Sequence, residues 1–266
     1  MSLRTPARLP AERAHAATVR HPAVAAILDW WTANARDLPW RSTRDVYAVW
    51  VAEVMSAQTN LDRAVSAWSR WMERWPTVAA LADASLRDVL SQWQGLGYPR
   101  RARDLHRSAQ IITTSGWPAD LTLLPGVGAY TAAAVRCFAL EQPVLPRDVN
   151  VVRVLERRFR HGVDISADPW RAGQAIMEFG QRICRATPRC DLCPVRDGCP
   201  GQGVRRTARR RQKPFAGSLR QRRGRLLREV VAAGVVAVEA ADREAAAGLD
   251  QDGLAVLTGQ TLRAAR

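Results

Sequence analysis

Lysine is almost missing from this chain: of its 40 lysines and arginines, only Lys213 is a lysine. Chemistry that runs through a lysine amine, such as a Schiff base, therefore has one candidate, and it sits in an arginine-rich stretch past Pro200. Long apolar runs are missing too. None approaches the ~18 residues of a membrane span, and the first residues lack the charged-then-apolar pattern of a secretory signal, so a cytoplasmic protein is expected. Cysteine is scarce, with five in 266 residues. In that compartment thiols stay reduced or bind metal, which argues against a disulfide framework. The alternation typical of strands is absent before Pro200, so that part should be helical.

What is abundant is arginine. The net charge of +15 points to a polyanionic partner, although a ribosomal or membrane-surface protein would share that signature. With 47% hydrophobic residues and this length, the chain can bury a sizeable core in roughly two domains. Composition shifts after Pro200, where residues 205–228 hold eleven basic residues and no acidic one. The expected organisation is a lead-in over 1–22, a helical region over 23–200, a basic linker over 201–216 and a small module over 217–266. Short apolar runs flanking Asp252-Gly253 suit a helix-plus-hairpin module of winged-helix type.

Residues 121–158 organise the rest. In Leu124-Pro125-Gly126-Val127-Gly128, a proline and two glycines make a tight turn between apolar-periodic segments, giving a helix-hairpin-helix whose second helix starts near Ala129. Backbone N–H groups around Gly126 and Gly128 form a concavity suited to phosphate, which positions a nucleic acid without reading it. Asp148 opens the apolar-periodic run Val151, Val152, Val154, Leu155, where by itself it reads as a helix N-cap. Helical spacing also predicts helices over 24–35, 46–58, 64–75, 86–93, 101–113 and 170–183. Within 46–58, Glu53 shares a face with Trp50 in an otherwise apolar segment; alone it reads as a surface or salt-bridged glutamate. The ten tryptophans fall mostly at core spacing. Cys184-x5-Cys190-x2-Cys193-x5-Cys199 is a metal-site spacing, with zinc the general candidate. Cys137 reads as a buried apolar residue.

Taken together, LPGVG-x-YTA and D-x-N-V-x-R-V, with Asp148 lying 18 residues beyond Tyr130, resemble the endonuclease III-like superfamily of DNA base-excision glycosylases. That superfamily is defined by a helix-hairpin-helix, a Gly/Pro-rich loop and an Asp. Within it the chain most resembles MutY-type adenine DNA glycosylases, from about Leu38 to Cys199. The resemblance implies an all-α helix-hairpin-helix glycosylase fold with an iron–sulfur loop. In that family the Glu of Trp-x-x-Glu-Val-Met, here Glu53, protonates the departing base, and Asp148 stabilises the cationic sugar. Tyr130 and Asn150 would orient Asp148 and the incoming water. Arg41, from Pro-Trp-Arg, would lie by the lesion, and the Leu96-Gly97-Tyr98 loop would approach the lesion strand. Gln58, with Thr59 beside it, would fill the gap in the base stack, while Gly126, Val127 and Gly128 would hold a phosphate. Cys184, Cys190, Cys193 and Cys199 would bind a [4Fe–4S] cluster.

The chain departs from the family in several places. The first cysteine gap is five residues where the family has six, and Met55-Ser56-Ala57-Gln58-Thr59 replaces Met-Leu-Gln-Gln-Thr, losing one glutamine. Pro146-Arg147 replaces a small apolar pair. The 60-odd residues after Pro200 cannot hold the family's larger Nudix-like domain, which checks for 8-oxoguanine. Tyr130 stands where lyase-active relatives carry lysine, which implies a monofunctional enzyme. The expected function is removal of adenine opposite 8-oxoguanine or guanine in double-stranded DNA by a monomer without membrane partners. A mismatch thymine or uracil glycosylase and a non-catalytic DNA-binding scaffold are the alternatives.

Overall fold

The computed structural model describes residues 21–160, 162–204 and 214–265. Most of the lead-in, and the part of the basic stretch that contains Lys213, lie outside the described residues.

Most helices before Pro200 start at a polar side-chain cap or a proline, while α7 starts at Gly128. Helix α1 (Pro22–Asn34) has Pro22 in its first turn and His21 accepting from the Ala23 N–H, and it buries Val24, Ile27, Leu28 and Trp31. Asp45 caps α2 (Val46–Ser56), a helix buried on nearly every side. Asn60, Thr77 and Ser85 cap α3 (Leu61–Arg74), α4 (Val78–Ala82) and α5 (Leu86–Gln92). Helix α6 (Arg100–Ser115) stops at Gly116, whose φ of 79° suits glycine. Then come α7 (Ala129–Phe138), α8 (Val149–Arg158) and α9 (Pro169–Arg182).

The α2 helix packs against α3 and α7, and α9 packs against α1, α7 and α8. Trp50, Trp71, Phe138 and Phe179 are fully buried among them. Trp71 stacks edge-on against Trp75 and Trp93, so these tryptophans serve packing, as their spacing suggests. The one helix here that periodicity missed is α4. Its five residues are too few to show a period, and the Pro76-Thr77 ahead of it reads as a break.

Beyond the basic stretch, α10 (Leu219–Ala233), β1 (Val235–Ala237), α11 (Arg243–Gln251), β2 (Ala255–Thr258) and β3 (Thr261–Ala264) form a helix–strand–helix–hairpin unit. Its antiparallel sheet runs β1-β3-β2, with Leu262 paired to both Val236 and Leu257. The unit docks on α5: Arg87 donates to Val231 O and Ala232 O, both at 2.7 Å. The fold is thus helical apart from this small sheet, as expected. No helix among the described residues is long and apolar enough to cross a membrane.

Candidate active site

Packing α2 against α7 brings Glu53 to Tyr130, the second residue of α7, whose hydroxyl donates to Glu53 Oε2 at 3.0 Å. The same hydroxyl lies 3.8 Å from Met177 Sδ. Burial pushes the Glu53 carboxyl up to about 7; the Tyr130 hydrogen bond opposes this, and the nearby Asp148 charge adds to it. Burial and then Glu53 itself raise the Tyr130 hydroxyl above its ordinary range, so it remains a protonated donor.

Asp148 caps α8, as its sequence position suggests. Its Oδ1 accepts from the Asn150 and Val151 N–H groups (2.8 and 2.7 Å), and its Oδ2 from Asn150 Nδ2 (2.6 Å). Asn150 is itself held by Arg153 Nη2 at 2.6 Å, and Arg153 also donates to Gly180 O and Cys184 O. Gly180 is required here, since a Cβ would come within 2.7 Å of Asn150 O. Tyr130 and Asn150 were both expected at Asp148. Only Asn150 bonds to it, because the face of α7 that carries Tyr130 turns toward α2.

Arg41 is held rather than free. Its Nη2 meets Glu178 Oε2 at 2.8 Å, Nε meets Gln174 Oε1 at 3.1 Å and Nη1 meets Arg36 O at 2.6 Å. Glu178 is 1% exposed and also accepts from Trp31 Nε1, from the Arg36 N–H and Nε, and from Arg182. Burial works against its ionisation, but Arg41 first and then Arg36 and Arg182 outweigh it and hold the carboxyl below the usual range. Sequence reasoning passed over Glu178. The signal was there in part, since it is the only acidic residue of α9, set in the apolar run Ala175-Ile176-Met177.

In the hairpin, a 3-10 turn over Leu121–Leu123 precedes the loop. Val127 is buried, and its N–H closes the turn on Leu124 O at 3.1 Å. Among the described residues the Gly126 and Gly128 N–H groups have no protein acceptor, and they lie with the start of α7 at the hairpin tip. Gly126 adopts φ 74° and lies so close to Asp104 that a Cβ would come within 2.8 Å of the Asp104 Cβ.

The other two expected loops line one open cleft. Ala57, Gln58 and Tyr98 share it with Arg100, Arg101, Arg103 and Asp104. Gln58 and Tyr98 are exposed, Gly97 has φ 72° and Leu96 is buried in the core, so the side chain of Leu96 does not face the cleft. Thr59 donates to Ala57 O and Leu96 O. The cleft arginines were not picked out from the sequence, although Arg100-Arg101-Ala102-Arg103 directly follows the turn.

Cys184, Cys190, Cys193 and Cys199 line a single cavity with Arg157 and Arg196, and all four are free thiols. Arg157 donates to Cys184 Sγ at 3.6 Å, and Cys199 Sγ lies 3.6 Å from Arg157 O. Among the described residues no three His, Cys, Asp or Glu side chains converge tightly enough for one metal ion. Four thiols lining one cavity are a donor set able to hold a metal centre. Cys137, on α7, is buried against α9, where Gly173 leaves room for it.

Comparison with known proteins identifies the family. The model of the family described as "HhH-GPD superfamily base excision DNA repair protein" matches residues 51–172. The chain is 39% identical over 242 residues to an adenine DNA glycosylase of Mycobacterium tuberculosis, covering 78% of each chain. It is 40% identical over 231 residues to that of Mycolicibacterium smegmatis, covering 76% of this chain and 78% of the other. The human adenine DNA glycosylase is 38% identical over 207 residues, 65% of this chain and 38% of that one. Among solved structures, a thermostable thymine-DNA glycosylase superposes with TM-score 0.60 at 24% identity, covering 67% of this chain and 94% of that one. An endonuclease III–DNA complex superposes with TM-score 0.56 at 21% identity, covering 67% and 92%. At such identities these two likenesses speak to the fold alone.

Proposed function

Since the chain belongs to the adenine DNA glycosylase family of helix-hairpin-helix base-excision repair proteins, we propose that it removes adenine mispaired with 8-oxoguanine or guanine, hydrolysing the N-glycosidic bond without cutting the strand. The observation that carries this reading is the pairing of two unlike carboxyls. Glu53 is poised near neutrality with one donor on it, and Asp148 sits at the start of α8 with three N–H groups on it.

Adenine is a poor leaving group until a ring nitrogen is protonated, and the sugar gains oxocarbenium character as its bond breaks. Glu53 delivers that proton, and Tyr130 fixes the carboxyl that holds it. Asp148, locked by Asn150, faces the developing positive charge. Water then adds its oxygen to C1′ and its proton goes to the Glu53 carboxylate, restoring the acid and leaving an abasic sugar and free adenine. The target base leaves the stack at a cost of a few kcal/mol, which a mispair lowers. Gln58 and Tyr98 reach into the duplex from the cleft, while the Gly126 and Gly128 N–H groups take a phosphate. Tyr130 offers no amine for a Schiff base, which makes the enzyme monofunctional.

The cysteine cavity would hold a [4Fe–4S] cluster on Cys184, Cys190, Cys193 and Cys199. That cluster would cross-link the loop that Arg153 and Arg157 tie back to α8. Visible absorbance and an iron count check it, and stoichiometric zinc would sink it.

The deciding experiment is single-turnover excision on labelled duplexes pairing A, T or U with G or 8-oxoguanine, followed by alkali. Breaks at A after alkali, and not before, support the reading. Breaks at T or U opposite G support a mismatch thymine or uracil glycosylase, which the lost glutamine beside Gln58 favours.

A further inference from the structure

Gln58 and Tyr98 line the same cleft, and both have left-handed backbone, with φ of 55° and 48°. Side chains other than glycine rarely hold that conformation unless their surroundings over-determine it. The over-determining group is Arg101, the second residue of α6. Its Nη1 donates to Val54 O at 2.6 Å and to Ala57 O at 2.7 Å, the carbonyls that end α2. Its Nη2 donates to Leu96 O at 3.0 Å, Gly97 O at 3.2 Å and Thr59 Oγ1 at 3.4 Å. The guanidinium also lies 5.3 Å from the Trp93 ring and 5.5 Å from the Tyr98 ring.

One planar group is therefore bonded to the residues on both sides of Gln58 and to the two that precede Tyr98. A guanidinium fork can point donors at both loops at once, whereas the single ammonium of a lysine cannot. Trp93 Nε1 also donates to Gly97 O at 2.9 Å, Arg63 Nη1 to Gly95 O at 3.0 Å and Thr59 Oγ1 to Leu96 O at 3.5 Å, and Leu96 is buried. Among the described residues, however, Arg101 alone places several donors on both loops at once, while both tip side chains are exposed.

We propose that Arg101 is a positioning residue that fixes Gln58 and Tyr98 as a preformed pair, so that both tips enter the duplex together at the mispair. This rests on the reading that these loops meet the DNA. It separates two tasks: the hairpin and the basic surface hold the duplex, and Arg101 keeps the wedge ready. Loss of the clamp then costs entry into the stack far more than it costs binding, because a small misplacement of such groups is amplified in the rate.

The test compares the unchanged protein with Arg101→Lys and, as the more drastic change, Arg101→Ala. Hydrogen exchange on the free, full-length proteins is the first readout. Arg101→Lys should speed exchange at both 57–59 and 96–98 while the core helices stay protected. The second readout is fluorescence of 2-aminopurine placed beside the mispair, at protein concentrations that saturate binding by anisotropy. The unchanged protein should unstack the probe. Arg101→Lys should bind within about threefold of it, lose most of that fluorescence gain and excise about tenfold more slowly. Opposite an abasic site, where no partner base needs displacing, the excision penalty should shrink to about threefold or less.

Unchanged exchange at either loop, or a full fluorescence gain in Arg101→Lys, overturns the proposal, as does an equal excision penalty opposite a base and opposite an abasic site. Exchange and fluorescence do not depend on which base is removed. If the unchanged protein excises no adenine, the functional reading fails and these two readouts still decide the role of Arg101.

Discussion

Glu53 on α2 and Glu178 on α9 are both glutamates set in apolar helical runs, Glu53 partly and Glu178 almost wholly shielded from water, yet the structure gives them opposite characters. Among the described residues the Glu53 carboxyl has one hydrogen-bond partner, the neutral Tyr130 hydroxyl, so burial dominates and the carboxyl is pushed up to about 7. Glu178 has Trp31, Arg36, Arg41 and Arg182 around it, and their donors outweigh a burial that works the same way. Burial sets the need for compensation, and the number and charge of the donors decide whether a carboxyl becomes an acid or a fixed anion. Glu53 is therefore suited to give a proton away, and Glu178 to hold Arg36, Arg41 and Arg182 in place.

The most direct way to break this contrast is to remove the proton donor. Glu53→Gln should lower single-turnover excision by about a thousandfold or more while duplex binding by anisotropy stays intact. Asp148→Asn should also lose excision and keep binding, since asparagine retains an oxygen to cap α8. If either variant kept near-normal excision, the two-carboxyl account would fail.

Next in size is the loss of the fixed anion. Glu178→Ala strands a largely buried Arg41 beside Arg36 and Arg182, and should cost about 3 kcal/mol in urea unfolding. A cost below about 1 kcal/mol would mean that the arginines find water easily and that the cluster is not a structural unit.

Glu53 should show the reverse sign. Because its folded value lies above its unfolded one, the folded chain holds the extra proton between about 4.5 and about 7, and stability from this group is lost as pH rises through that window. Glu53→Gln should therefore raise the melting temperature at pH 8 and leave it nearly unchanged at pH 5, which thermal melts at the two pH values can check. The smallest effect belongs to Tyr130→Phe. Removing the hydrogen bond that pulls Glu53 down should move the alkaline limb of the excision–pH profile to higher pH. A shift to lower pH would contradict the placement of that hydroxyl on Glu53.

The two members of the contrast were not equally legible in the sequence. Glu53 and Asp148 stand in short local motifs, and an Asp before an apolar-periodic run announces a cap, so both could be placed on their helices. Glu178 could not be recognised from its own segment, because three of its partners come from residues 31–41, more than 130 positions away. Tyr130 could be picked out but not aimed, since its target depended on which face of α7 meets α2. Arg101 was hidden in the opposite manner: it stands in a run of three arginines within four residues, where nothing local sets it apart, and its guanidinium ties down carbonyls of two other segments. The helices themselves were readable from caps and periodicity, and α4 escaped only through its shortness.

The most direct test of the contrast is a pH titration by carboxyl 13C NMR of glutamate-labelled protein, with the two signals assigned through Glu53→Gln and Glu178→Gln. The account predicts that the Glu53 signal titrates near pH 7 while that of Glu178 stays ionised below the ordinary glutamate range. A Glu53 signal that titrates in the ordinary range alongside exposed glutamates would contradict it.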